Sequence, residues 1–96
     1  MVLNADFIGR AYPPSAPYLV GREKIREFAR AIGDGNAVFH DRDAARALGY
    51  PDIIAPPTFA TVVAMEASQA VMFDPELGLD FSRVVHAEQS LSLIHI

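Results

Sequence analysis

The chain has 96 residues, a formal net charge of −4, 51% hydrophobic and 21% charged residues, and no cysteine. A chain of this length forms at most one domain, and its acidic balance argues against a nucleic-acid binder, which normally shows a basic face. The absence of cysteine excludes disulfides and thiolate metal sites.

No segment of the sequence indicates secretion, a membrane span or a metal site. The N-terminal stretch MVLNADFIGR lacks the basic start and apolar run of a signal peptide. The longest apolar segment, residues 58–73, is shorter than the roughly 20 residues that a spanning helix needs. His40, His86 and His95 are far apart and show no metal-ligand spacing. We therefore expect a cytoplasmic protein without cofactor or metal that contacts neither nucleic acid nor membrane.

The first third of the chain predicts an extended arm followed by an amphipathic helix. Residues 11–18 hold three prolines and indicate an extended entry, and residues 18–20 predict a short edge strand. Residues 22–32 predict a helix that ends at Gly33, a natural left-handed C-terminal residue. Its apolar stripe follows the i, i+3, i+4, i+7 pattern and consists of Ile25, Phe28, Ala29 and Ile32.

A second face of this helix carries Arg22, Arg26 and Arg30. We interpret this stripe as a solvated face, with docking of a carrier phosphate or an acidic carrier protein as the alternative.

The middle of the chain predicts a polar loop and a second, shorter helix. Residues 33–40 are rich in turn-forming residues. Asp41 is placed to cap a helix over residues 42–48, and Gly49 ends it.

The remaining elements are a buried helix and the start of a sheet. After a proline-rich connector, Pro57 fits the first turn of a helix over about residues 57–73. This helix is apolar on most of its circumference, which predicts that it is wrapped on several sides. Residues 74–80 predict a turn, and the chain from Ser82 onwards predicts strand, with period-2 alternation in SLSLIHI.

Three blocks in this order resemble a known family: VGREKIREFARAIGD, GYPDIIAPPTF and DPELGLDFSRVVHAEQ. They are similar to the MaoC-like, or R-specific hydratase, branch of hot-dog proteins, and most closely to the N-terminal MaoC dehydratase domain and the small subunits of actinobacterial (3R)-hydroxyacyl-thioester dehydratases. The resemblance implies an α+β hot-dog fold, in which a long central helix is wrapped by a curved antiparallel sheet. It also implies substrates carried as thioesters on coenzyme A or acyl carrier protein, and pairing of two hot-dog subunits as a homodimer or heterodimer. We expect residues 1–96 to be the N-terminal part of one hot-dog domain, truncated at its C-terminus, with residues 89–96 outside the family sequence.

The resemblance also implies a site. Dehydration of a 3-hydroxyacyl thioester removes a C2 proton and expels the C3 hydroxyl, which requires an acid and a base close to one water position. In the family an aspartate and a histidine supply them, and their positions correspond here to Asp34 and His40. Asn36 would brace the loop between them. The alternative is that Asp34 caps the loop after the first helix and His40 packs beside the second helix.

Two departures from the family pattern affect this site. The interval from Asp34 to His40 is one residue longer than in the family motif, and Ala37 replaces its proline. At the start of the central helix, the family uses a backbone N–H to stabilise the thioester oxygen. Pro57 holds the matching position and has no N–H, so Thr58 is the alternative donor. Phe59 completes the predicted substrate-binding set of Asn36, Pro57, Thr58 and Phe59.

Large apolar side chains of the central helix are predicted to form the core, and some of them could line an acyl tunnel beside it. These side chains are Phe59, Met65, Met72 and Phe73.

The leading interpretation is a hydro-lyase subunit of fatty-acid metabolism, a (3R)-hydroxyacyl-thioester dehydratase or enoyl-thioester hydratase. In it, this chain shapes the acyl tunnel beside a catalytic sister subunit. The alternatives are a self-sufficient homodimeric hydratase that uses Asp34 and His40, and a non-catalytic module that binds acyl thioesters.

Overall fold

A computed structural model describes residues 2–94 of the chain. Within them lie three α-helices, α1 (Arg22–Ala31), α2 (Arg42–Ala47) and α3 (Ala60–Met72), together with the 3-10 turns Ala5–Phe7, Ala37–Phe39, Pro57–Phe59 and Phe81–Arg83. These residues form two compact units. One is Pro17–Ala60, and the other combines residues 2–16 with residues 61–94. In the described part of the chain, no helix is long and apolar enough to cross a bilayer.

Helix α1 ends as the sequence predicts, within one residue. Gly33 has a φ of 73°, a left-handed conformation that costs most other residues energy. The Gly33 N–H donates to the Arg30 carbonyl at 3.1 Å, and the Asp34 N–H donates to the Ala29 carbonyl at 2.8 Å. This pair of bonds is a Schellman motif, which satisfies carbonyls that a helix end otherwise leaves without partners. The backbone of Asp34 is thereby fixed to the end of α1.

The predicted signals around α2 are also confirmed. The side chain of Asp41 accepts a hydrogen bond from the Asp43 N–H at 2.9 Å, as an N-cap does. At the other end Gly49 adopts a φ of 93°, and the chain leaves the helix there.

The apolar core lies in the unit Pro17–Ala60. Phe59 is its best-buried large side chain, 3% exposed. Its ring meets those of Phe28 and Tyr18 edge to face, at centroid distances of 5.4 and 6.2 Å, a favoured geometry for aromatic pairs. The predicted stripe of α1 contributes to this core except for Ile32, which is 48% exposed. The buried apolar residues of the described chain are Ile25, Ala29, Val38, Phe39, Ala45, Ile53 and Phe59.

A cluster of charges joins both helices of this unit to the connector before α3. The carboxylate of Asp52 accepts a hydrogen bond from Arg22 Nε at 2.8 Å and another from the Ile53 N–H at 2.8 Å. Arg42 Nε approaches the same carboxylate at 3.3 Å without the alignment of a hydrogen bond. These contacts lower the pKa of Asp52 to about 2. The hydrogen bond from Arg22 is the largest cause, and the Ile53 N–H and the two positive charges add to it.

Helix α3 forms where the sequence predicts it, but its predicted burial is wrong for the described residues. The turn Pro57–Phe59 leads directly into Ala60–Met72, and no residue of α3 is buried. Met65, predicted as core, is 50% exposed, and Phe73 just after the helix is 63% exposed. The physical reason is that burial of an all-round apolar helix requires neighbours on several sides, and residues 61–94 supply none that enclose it.

The two predicted strands are absent from residues 2–94. Residues 18–20 have no regular structure, and the chain after Ser82 continues through the turn Phe81–Arg83 into an irregular segment. A strand persists only when a neighbour completes its ladder of backbone hydrogen bonds. No second strand is present in the described chain to provide one. His95 and Ile96, the end of the predicted strand, lie outside the described residues.

Candidate active-site loop

The loop over residues 33–40 is held by side chains that bond to its own backbone. Asp34 Oδ1 accepts the Asn36 N–H at 3.0 Å, and Asn36 Oδ1 accepts the Val38 N–H at 3.2 Å. Such local bonds are the reason that Asp and Asn favour turns and caps. The predicted bracing role of Asn36 therefore has a physical basis: its side chain caps the turn Ala37–Phe39.

Asp34 and His40 are in contact in the structure, but the contact is made by the main-chain carbonyl of Asp34 and not by its carboxylate. His40 Nε2 lies 2.9 Å from the Asp34 carbonyl oxygen. Because a carbonyl oxygen only accepts hydrogen bonds, Nε2 must carry the proton of this contact. Nδ1 of the neutral ring is then the nitrogen without a proton.

Arg26 contacts this loop in a way that the sequence does not indicate. Its Nε donates to the His40 carbonyl at 2.9 Å, and its guanidinium also pairs with Glu23 one turn earlier. The Glu23 pair follows from the i, i+3 spacing of the two residues on one helix face. The contact with His40 spans 14 residues and follows no periodic rule. The interpretation of this arginine stripe as a solvated face is therefore wrong for Arg26, and Arg22 is engaged with Asp52.

The connector places the start of the central helix in the same unit as the loop. The Ile54 N–H donates to the Val38 carbonyl at 3.1 Å, which ties the connector to the turn Ala37–Phe39. Pro57 occupies the first position of the turn that leads into α3, as predicted, and both Pro57 and Thr58 are exposed. N–H groups in the first turn of a helix lack intrahelical acceptors, so Thr58 offers the donor position that Pro57 cannot supply. Phe59, in contrast, is part of the apolar core.

Two proton acceptors of the loop keep unused capacity. Among the described residues, Asp34 Oδ2 and His40 Nδ1 have no hydrogen-bond partner. A carboxylate or a neutral imidazole with a free acceptor can act as a general base when a substrate lies within hydrogen-bond reach, and acts as an acid only after it has gained a proton. The same loop thus allows both roles considered for the pair, a local structural one and a chemical one.

The other unit contains an open apolar cavity. It has a volume of about 330 Å³ and is lined by Met65 and Met72 of α3 together with Val84, His86 and Gln89. His86 is exposed at this position, and in the part of the chain that the structure covers no three His, Cys, Asp or Glu side chains are grouped as a metal site would require.

Comparison with known families gives one match that covers nearly the whole chain. Residues 6–95 match the model of the FAS1-like dehydratase domain region. The chain belongs to this family. This agrees with the resemblance of its three sequence blocks to hot-dog dehydratases.

Actinobacterial relatives are similar over almost all of the chain. A "UPF0336 protein" of Streptomyces coelicolor is 58% identical over 92 residues, which are 96% of this chain and 61% of that protein. A "UPF0336 protein" of Saccharopolyspora erythraea is also 58% identical, over 96% of this chain and 59% of that protein. The chain thus spans about three fifths of the length of these relatives.

A solved structure is similar as well. It is the C-terminally truncated HadBC (3R-hydroxyacyl-ACP dehydratase) complex from Mycobacterium tuberculosis, with a TM-score of 0.57 and 37% identity over 65% of this chain and 47% of that chain. This similarity, together with the family match, supports a hot-dog fold and a dehydratase-type relationship. The curved sheet of such a fold is not formed within residues 2–94.

Proposed function

We propose that this chain is a subunit of a (3R)-hydroxyacyl-thioester dehydratase, or enoyl-thioester hydratase in the reverse direction, and that it shapes the acyl site beside a catalytic sister subunit. The observation that carries this proposal is the use of the Asp34 and His40 polar groups within their own loop. The imidazole is bonded to the Asp34 carbonyl, and one carboxylate oxygen is bonded to the Asn36 N–H. The ring's only proton donor is thereby occupied and only acceptors remain free, whereas an acid–base pair needs both a donor and an acceptor at the reacting atoms.

The entry to α3 supports the same proposal. Pro57 stands where the family places a backbone N–H for the thioester oxygen, and proline has none. Removing one such donor typically costs about 10²–10³ in kcat. A chain without a donor at position 57 is better suited to bind and orient an acyl chain than to carry out the elimination.

The partner we propose is a second hot-dog subunit, and the substrate is an acyl thioester on coenzyme A or acyl carrier protein. Residues 1–96 would form the N-terminal part of a single hot-dog domain, with α3 as the central helix under a curved sheet. The similar HadBC structure is a complex of a 3R-hydroxyacyl-ACP dehydratase, which supports a heteromeric arrangement. The methionine-lined cavity beside α3 supports an apolar acyl chain as its occupant, since apolar walls suit an alkyl chain.

A second candidate is a self-sufficient hydratase. It is favoured by the unused acceptors Asp34 Oδ2 and His40 Nδ1, each of which could accept a hydrogen bond from a water or a substrate hydroxyl group. In this case Thr58 would provide the N–H for the thioester oxygen.

Hydration of a trans-2-enoyl-CoA distinguishes the candidates. The full-length protein is assayed alone and with its sister subunit, in wild-type form and as Asp34→Asn and His40→Ala. We expect activity only in the complex, reduced at most several-fold by either substitution and abolished by removing the corresponding histidine of the sister subunit.

Activity of the protein alone that disappears in both variants would instead establish the self-sufficient enzyme. Binding of acyl-CoA without hydration in the presence of the sister subunit would establish a non-catalytic binding module.

A further inference from the structure

Arg26 is the most strongly enclosed of the arginines that form ion pairs in the described chain. Its side chain is 23% exposed, against 51% for Arg22 and 42% for Arg42. Holding a long charged side chain in one conformation costs rotamer entropy. Two contacts offset this cost, one to the carboxylate of Glu23 and one to the carbonyl of His40.

His40 is consequently held from two directions. Arg26 on α1 binds its carbonyl, and its ring reaches back to the carbonyl of Asp34. Asp34 is itself attached to the end of α1 by the Schellman bond to Ala29. These contacts form a closed circuit that starts and ends on the same helix, so the imidazole has little freedom to turn while the circuit is intact.

We propose that Arg26 is a positioning residue that, through the carbonyl of His40, keeps the imidazole bonded to Asp34 with the proton on Nε2 and with Nδ1 as the proton acceptor of the ring. The inference rests on the proposed function in one respect, that Asp34 and His40 stand at the positions where the family acts on its acyl thioester. Its physical basis is the geometry of the two carbonyl contacts, each 2.9 Å long.

This arrangement determines which ligand group the ring can meet. A neutral imidazole has one donor and one acceptor nitrogen, and the donor is engaged by Asp34. What remains is an acceptor, which suits a hydroxyl group such as the one at C3 of a 3-hydroxyacyl thioester. It does not suit a carbonyl oxygen, which would need a donor.

The tautomer can be measured directly by long-range ¹H–¹⁵N correlation spectra of the intact protein labelled with ¹⁵N-histidine, in complex with its sister subunit and without substrate. The chain has three histidines, and His40→Gln identifies the signals of His40 by their loss. We expect Nε2 of His40 to resonate as a protonated nitrogen and Nδ1 as an unprotonated one at a pH where the ring is neutral.

Arg26→Gln tests the positioning role, with Arg30→Gln as its matched control. Arg30 lies one turn further on the same helix, is exposed, and its side chain makes no hydrogen bond or ion pair within residues 2–94. We expect Arg26→Gln to shift both ring nitrogens of His40 towards the average of the two tautomers, and Arg30→Gln to leave them at their wild-type positions.

The proposal is overturned if wild-type His40 carries its proton on Nδ1, or if Arg26→Gln folds and leaves the signals unchanged. The wild-type spectrum tests the tautomer even if Arg26→Gln fails to fold. Because the spectra need no substrate, their result is independent of hydration activity. An inactive complex with the expected spectrum would overturn the proposed function alone, and an active complex with the opposite tautomer would overturn this inference alone.

Discussion

The two units of the chain differ in how far the apolar side chains of their helices are buried. In Pro17–Ala60 an amphipathic helix turns a narrow apolar stripe towards other elements of the same unit, and every buried apolar residue of the described chain belongs to this unit. In residues 61–94 the helix is apolar around most of its circumference, yet none of its residues is buried. A narrow stripe can be satisfied by two short elements, whereas a wide apolar surface requires a layer. Apolar content alone therefore does not make a segment part of a core.

The largest expected effect on stability comes from replacing one phenylalanine in each unit and comparing the two losses. Phe59→Ala removes the ring that joins Phe28 and Tyr18, and we expect a loss of about 3–5 kcal/mol in the free energy of unfolding. Phe73 is 63% exposed and its ring stacks on Phe81, so Phe73→Ala should cost at most about 1.5 kcal/mol. Urea unfolding followed by circular dichroism measures both. Equal losses for the two variants would contradict the contrast.

A smaller effect is expected at the end of α1, where one backbone conformation fixes the candidate site. Gly33 has a φ of 73°, and Gly33→Ala should cost about 1–2 kcal/mol because a Cβ disfavours the left-handed region. Gly35 is the matched control in the same loop, since its φ is not in that region and a Cβ there would meet open space. Gly35→Ala should be neutral or raise stability by up to about 1 kcal/mol. A Gly33→Ala protein as stable as Gly35→Ala would show that the Schellman motif does not govern the loop.

The smallest effect concerns the charge cluster at Asp52. Its pKa of about 2 in the folded protein lies below the ordinary value of 3.8, so the contribution of this carboxylate to stability is fully present above about pH 4. It is lost as the pH falls towards 2. We expect Asp52→Asn to be less stable than wild type at neutral pH and to lose less stability between pH 4 and pH 2.

Glu66→Gln provides the control for this experiment, because Glu66 lies exposed on α3 and has no partner among the described residues. Its stability should follow the wild-type curve over the same pH range. Thermal unfolding at several pH values measures all three proteins. Parallel curves for wild type and Asp52→Asn would argue against the cluster as a source of acid sensitivity.

The features that the sequence predicted correctly depend on nearby residues. The end of α1 at Gly33, the cap of α2 at Asp41 and the entry of α3 at Pro57 each follow from a few neighbouring side chains and their backbone preferences. The loop over residues 33–40, which holds Asp34 and His40, follows in the same way from its turn-forming residues. Local rules were sufficient for these helix ends and turns because the alternative backbone conformations there differ only in a few neighbouring residues.

The features that could not be predicted depend on partners that no nearby residue specifies. A strand after Ser82 requires another strand, and the described chain provides none. The contact between Arg26 and the His40 carbonyl joins atoms 14 residues apart, and its acceptor is a backbone atom that every residue possesses. For the same reason, sequence alone indicated a pairing of Asp34 with His40 but not which atoms of Asp34 would form it.

The identity of that acceptor has a consequence for protein engineering. Since the imidazole of His40 is held by a peptide oxygen, the side chain at position 34 can be exchanged while the ring keeps its anchor. The anchor of the ring and the carboxylate beside it are thus different groups of one residue, although Oδ1 of that carboxylate also accepts the Asn36 N–H. Side chains at position 34 that keep this acceptor, such as asparagine, would vary the acidity beside the ring while the loop keeps its backbone contacts.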